Sequence, residues 1–136
     1  MNRILGIDYG ERRIGLAISD PLQIIATPLK VIDRKITPEY ISVIQKIIIE
    51  RNVKKIVVGL PLTMKGSISK QTELTLLFID SLKKSFEVPV CTIDERLSSK
   101  EAKRILISKG IKTGHNKSSV DLIAAGIILQ EYLDSK

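Results

Sequence analysis

The sequence predicts one mixed α/β domain over residues 1–136, built on a five-stranded sheet with helices on both faces. Three observations carry this. The first third alternates at period two, with Ile14, Leu16 and Ile18 set against Gly15, Ala17 and Ser19. From Pro38 the period becomes helical, placing Ile41, Ile44, Ile47 and Ile48 on one face. Beyond that, short apolar runs alternate with helical segments, as parallel strands joined by crossovers require. A length of 136 residues, 43% of them hydrophobic, suits one compact core.

Residues 3–8 form a short apolar strand, the turn Tyr9-Gly10-Glu11-Arg12 follows, and residues 13–19 return as its hairpin partner. A third strand is expected over residues 24–32, bounded by Asp20-Pro21 and by Asp33-Arg34-Lys35. The first helix should end near Asn52. Residues 54–60 read as a buried parallel strand, and Gly59-Leu60-Pro61 ends it. A loop holding Gly66, Ser67 and Ser69 leads into a second helix with Leu74, Leu77, Phe78 and Leu82 as its inward face. Residues 88–93 are the fifth strand. Ser98 and Glu101 have capping-box spacing, so a third helix is expected from there to Lys109, with Gly110 as its stop. A last helix runs over residues 119–133.

The charge is unevenly placed. Arg96, Lys100, Lys103, Arg104, Lys109, Lys112 and Lys117 stand against Glu101 alone, leaving +6 of the chain's formal +7 in one short stretch. Such a stretch attracts polyanions through counterion release, although a solvated helix face has the same composition. Cys91 has no second cysteine to pair with and reads as a small buried hydrophobe. Gly6, Asp8 and Gly10 interrupt the run a secretory signal needs, and no segment is long enough to span a bilayer, so a cytoplasmic protein with no membrane partner is expected.

Three acids need explaining. Asp8 ends an apolar strand, where a carboxylate is costly unless it has a partner. The small face Gly15, Ala17 and Ser19 leaves room above it for a metal or a phosphate, or Asp8 simply caps the following turn. Asp121 opens the last helix on the same face as Ala124, Ala125 and Ile128, which directs it toward the sheet, although an acid there also complements the helix dipole. The third acid lies in Asp94-Glu95-Arg96 at the C-terminal end of the fifth strand, where sites of open α/β sheets gather. Converging carboxylates suit hard Mg²⁺ or Mn²⁺, and ions about 4 Å apart can activate water and stabilise the leaving oxygen of a phosphodiester. Arg96 either steadies the scissile phosphate or pairs with Asp94 or Glu95. Gly59, Gly66, Ser67 and Ser69 offer backbone N–H groups and hydroxyls before a helix, which can hold a phosphate or build an ordinary turn. Lys103, Arg104 and Lys109 are expected to guide a nucleic-acid backbone. His115, the only histidine, sits in a polar loop and is not a candidate catalyst.

Four segments, GIDYGERRIGLAISD (6–20), VVGLPLTMKGSISKQT (57–72), DERLSSKEA (94–102) and DLIAAGIILQEYL (121–133), together resemble the signature blocks of the YqgF family across essentially the whole chain. That family comprises pre-16S rRNA processing nucleases, also described as Holliday junction resolvases. The resemblance implies an RNase H-like fold, divalent-metal phosphodiester hydrolysis, and Asp8, Glu95 and Asp121 as catalytic and metal-binding acids. It also implies pre-rRNA or branched DNA as partner, and a role in ribosome biogenesis. In related resolvases the fourth strand ends in a glutamate, whereas here that place reads Gly59-Leu60-Pro61. In an RNase H-like strand order the fifth strand lies two spacings of about 4.8 Å from the first, so Glu95 either reaches across or serves a single ion beside Asp94.

Two other functions compete. An ATP-binding domain of the actin or sugar-kinase type also opens with an Asp-x-Gly hairpin, but such proteins close two lobes on the nucleotide. A non-catalytic nucleic-acid-binding module accounts for the basic stretch and leaves the acids unexplained, because carboxylates beside a phosphate path repel it without a cation. Three tyrosines and two phenylalanines offer little surface for stacking bases, which favours recognition by backbone and shape. The sequence does not fix the oligomeric state.

Overall fold

A computed structural model describes residues 2–63, 65–94 and 117–135. The chain orders as β1 (Arg3–Tyr9), β2 (Arg13–Ser19), β3 (Ala26–Asp33), α1 (Tyr40–Glu50), β4 (Val53–Leu60), α2 (Lys70–Ser85), β5 (Val90–Asp94) and α3 (Lys117–Asp134). The sheet order is β3-β2-β1-β4-β5, with β1, β2 and β3 antiparallel and β4 and β5 parallel to β1. The expected third helix and His115 lie outside the described residues.

Central β1 is covered on both sides, which is why its sequence is nearly unbroken apolar. Strand alternation divides its side chains. Leu5 and Ile7 join Leu16, Ile56, Ile44 and Leu82 beneath α1 and α2, whereas Ile4 joins Ala17, Val57, Ala125, Ile128 and Leu129 beneath α3. Along β1 on the α3 side, Ile4 is followed by Gly6 and Asp8.

Helix α1 buries Ile44 and Ile47 and packs Ile41 and Ile48, as its period predicts. On α2 the expected Leu74, Phe78 and Leu82 pack inward, but Leu77 is 65% exposed, and the buried stripe runs Thr72, Thr75, Phe78, Ile79 and Leu82. Two threonines occupy inward positions because each hydroxyl finds a partner, Thr75 Oγ1 donating to the Gln71 carbonyl at 2.9 Å and Thr72 Oγ1 bonding the Pro61 carbonyl. Counting apolar residues alone therefore misplaces Leu77. Strand β5 begins at Val90, two residues later than expected.

Candidate active site

Asp8 pairs across the hairpin with Gly15, and directly opposed residues on antiparallel strands project to the same face. That face is the one α3 covers. A Cβ at Gly15 would overlap the carbonyl oxygen of Asp121 and lie 3.3 Å from the Ala125 Cβ, and one at Gly6 would lie 2.7 Å from the Leu129 Cβ. Helix α3 therefore rests its backbone at Asp121 on Gly15, the residue paired with Asp8. The room the sequence left above the small face of β2 is taken by the helix itself. Over Gly15 helix and sheet are in close contact.

Three ties fix α3 in this position. Gln130 accepts from the Ala26 N–H at 2.9 Å and donates to the Ile24 carbonyl at 2.9 Å, and Lys55 donates to the Tyr132 hydroxyl at 2.9 Å. These hold the C-terminal half, and the glycine contacts set the height of the N-terminal half.

The hairpin turn after Asp8 is clamped from the other side of the sheet. Arg34 donates to the carbonyls of Gly10 and Glu11 at 3.3 and 2.6 Å, with its guanidinium 4.7 Å above the Tyr9 ring. Tyr9 stacks on Phe78 at 4.1 Å, and its carbonyl accepts from Gln71 at 3.0 Å. Burial raises the Tyr9 hydroxyl pKa, with Arg34 opposing the shift, so this ring stays a neutral packing element at ordinary pH.

Asp94 is separated from the other acids. Cys91 and Ile93 pack on the α3 side of the sheet and Val90 on the other, and Asp94 is in register with Leu60, which packs beneath α1 and α2. Alternation therefore turns Asp94 to the face opposite Asp8. Gly59, two residues beyond Val57, follows the α3 face. Among the described residues no three His, Cys, Asp or Glu side chains form a group able to hold a metal. Glu95, Arg96, Lys103, Arg104 and Lys109 lie outside the described residues.

The 61–69 loop is built by its own bonds. The Thr63 carbonyl accepts the Gly66 N–H at 2.7 Å, Thr63 Oγ1 accepts the Ser67 N–H at 3.1 Å, and the two hydroxyls of Thr63 and Ser67 meet at 2.6 Å. Gly66 sits at φ 81, where a glycine is favoured. Ser69 caps α2, accepting from the Thr72 N–H while its own N–H bonds Thr72 Oγ1. Gly66 and Ser67 thus build the turn that the sequence offered as one of two readings, and Ser69 a capping box.

One residue absent from the sequence reading enters the site. Arg13 Nε lies 3.8 Å from Asp121 Oδ2. Period two placed Arg13 on the face of Gly15, a signal available in the sequence once that face was known to carry the acids.

The sequence profile of the RuvX family, described as Holliday junction resolvase, matches residues 2–135. The chain belongs to this family. Among its RuvX relatives, a protein of Halothermothrix orenii named "Putative pre-16S rRNA nuclease" is 47% identical over 132 residues, covering 97% of this chain and 94% of the relative. A protein of the same name from Chloroflexus aurantiacus is 44% identical over 133 residues, covering 98% and 87%. Among solved structures, T. thermophilus RuvC in complex with a Holliday junction substrate superposes with a TM-score of 0.57 at 16% identity, covering 99% of this chain and 95% of RuvC. Fowlpox virus resolvase with Holliday junction DNA gives 0.58 at 14% identity, covering 98% and 97%. These likenesses establish the RNase H-like fold for this RuvX member.

Proposed function

We propose that the protein is a divalent-metal-dependent endonuclease that hydrolyses phosphodiesters of structured RNA in the cytoplasm, at the 5′ end of pre-16S rRNA. The observation that carries this is the delivery of Asp8 and Asp121, from opposite ends of the chain, to one face of the sheet on either side of Gly15. The names of the close relatives supply the substrate.

The donor chemistry fits Mg²⁺ or Mn²⁺: both acids offer hard carboxylate oxygens. Asp8, Asp121 and Glu95 are the residues that would hold it. Glu95, outside the described residues, takes the third place on the family resemblance alone. When bound, such an ion polarises the phosphodiester and makes water a competent nucleophile. The protein's part is positioning. Gly15 sets how near Asp121 comes to Asp8, Arg34 and Gln71 hold the turn that fixes Asp8, and the basic 96–117 stretch draws the substrate backbone inward.

The test is cleavage of a pre-16S rRNA 5′ precursor and of a four-way DNA junction, each with Mg²⁺, Mn²⁺ or EDTA, by the natural protein and by Asp8→Asn. RNA cleavage that EDTA abolishes, and that falls roughly 10²- to 10³-fold in Asp8→Asn, is expected. Cleavage of the junction alone would favour the second reading, which the family description supports: a Holliday junction resolvase. Binding with no cleavage of either substrate would identify a nucleic-acid-binding module.

A further inference from the structure

We propose that Arg13 is a substrate-phosphate ligand of this site, held in reserve by Asp121 until a divalent cation takes that carboxylate. The inference rests on the proposed nuclease reading and extends it to a residue outside the acidic set.

Three arginines stand at the turn end of the hairpin, and two are committed to structure. Arg12 Nε pairs with Asp33 at 3.1 Å, and Arg34 is bonded to two turn carbonyls and stacked over Tyr9. Arg13 alone of the three lies on the α3 face, two residues before Gly15, with its guanidinium beside Asp121. Its backbone is fixed, because the Arg13 carbonyl accepts the Gly10 N–H at 2.9 Å across the turn.

The Arg13–Asp121 pair is loose. A charge-assisted guanidinium–carboxylate bond closes to about 2.7–2.9 Å and is commonly two-pronged. Here a single nitrogen stands at 3.8 Å, with the side chains 24% and 31% exposed. A pair of this kind contributes little to stability. Its consequence is electrostatic: the guanidinium offsets part of the negative charge that Asp8 and Asp121 place together. A divalent ion bound to Asp121 removes the need for that offset. The guanidinium is then able to turn its planar donor fork to a phosphate oxygen entering the same face. Arg13 and the ion compete for Asp121, yet both act on the substrate. That gives loss of Arg13 effects of opposite sign on metal and on nucleic acid.

The experiment uses the full chain with Arg13→Gln and Arg13→Lys. Mn²⁺ affinity is measured without nucleic acid, then substrate affinity against salt, then KM and kcat. In Arg13→Gln, Mn²⁺ should bind about two- to fivefold tighter, because a weak competing cation is gone. Substrate should bind roughly tenfold or more weaker, and the salt slope should fall by about 0.7 to 0.9, the loss of one phosphate contact. The melting temperature of the metal-free protein should move little. Arg13→Lys should restore the salt slope and only part of the affinity, since it keeps the charge and loses the fork.

Mn²⁺ affinity, substrate affinity and melting temperature all falling together would show that Arg13 is a tether for α3, and the proposal would be overturned. Unchanged substrate affinity and salt slope in Arg13→Gln would also overturn it. A natural protein that binds Mn²⁺ and nucleic acid without cleaving removes the nuclease reading. The opposite-signed shifts in the two binding measurements would still support the Arg13 assignment, and their absence would remove it.

Discussion

The two faces of the sheet are packed by different means. Beneath α1 and α2 the contact is made by large aliphatic and aromatic side chains, with Leu5, Ile7, Leu16, Ile44 and Phe78 interdigitating. Beneath α3, Ile4, Val57, Ile128 and Leu129 also pack, but the small residues Gly6, Gly15, Ala17 and Ala125 let the helix come close to the strands, down to backbone at Gly15. The first face holds stability in side-chain volume and has many ways to adjust. The second holds a distance, that between Asp8 and Asp121, and adjusts poorly because backbone atoms are in contact. An acidic pair needs the second kind of packing, since its geometry is only as good as the helix–sheet separation.

The sharpest way to break this contrast is Gly15→Ala. Its new Cβ would overlap the Asp121 carbonyl, so α3 must lift and carry Asp121 with it. Overpacking of this kind costs about 1–3 kcal/mol, and a displacement near 1 Å in a site costs roughly 10²-fold in rate. Activity per folded molecule, measured with a denaturation curve on the same sample, should therefore fall about a hundredfold. Activity within twofold of the natural protein would mean that the α3 contact does not set the acid geometry.

Leu5→Ala probes the other face. Leu5 is fully buried beneath α1 and α2, and its truncation should remove about 2–5 kcal/mol of stability. Activity per folded molecule should stay near that of the natural protein below the transition. A large activity loss at unchanged unfolding midpoint would reverse the roles assigned to the two faces.

A carboxylate away from the proposed site supplies a smaller, pH-dependent effect. Asp20 accepts the N–H groups of Ile25 and Ile24 at 2.7 Å each and of Leu22 at 3.2 Å. These bonds, led by that from Ile25, lower its pKa below the ordinary carboxylate value. A lowered folded pKa contributes stability that is present above the unfolded value and lost as pH falls through the folded one. Asp20→Ala should therefore melt lower than the natural protein at pH 7, with the gap closing below about pH 4. A gap that persists unchanged at pH 3 would assign the effect to something other than this carboxylate. The smallest change is expected at Leu77, 65% exposed on α2, where Leu77→Gln should shift stability by no more than about 0.5 kcal/mol in chemical denaturation. A loss above 2 kcal/mol would return Leu77 to the inward face.

Much of this was legible in the sequence because it is local. Period two in residues 13–19 gave β2 its bounds, and period 3.6 gave α1 its buried isoleucines, since each pattern is the imprint of one element against one apolar layer. The same alternation placed Asp8 with Gly6, and helical spacing placed Asp121 with Ala124, Ala125 and Ile128, all three buried. On α2 local pattern placed Leu74, Phe78 and Leu82 inward correctly but misplaced Leu77, because buried threonines satisfied by hydrogen bonds do not look inward on a hydrophobic count. Tertiary structure alone decided that Asp8 and Asp121 share a face, that the space over Gly15 belongs to the helix, that Asp94 turns away, and that Arg13 stands beside Asp121. Each of these depends on strand register and helix crossing. Both are set by contacts between residues distant in the chain, so no window of neighbouring residues contains them.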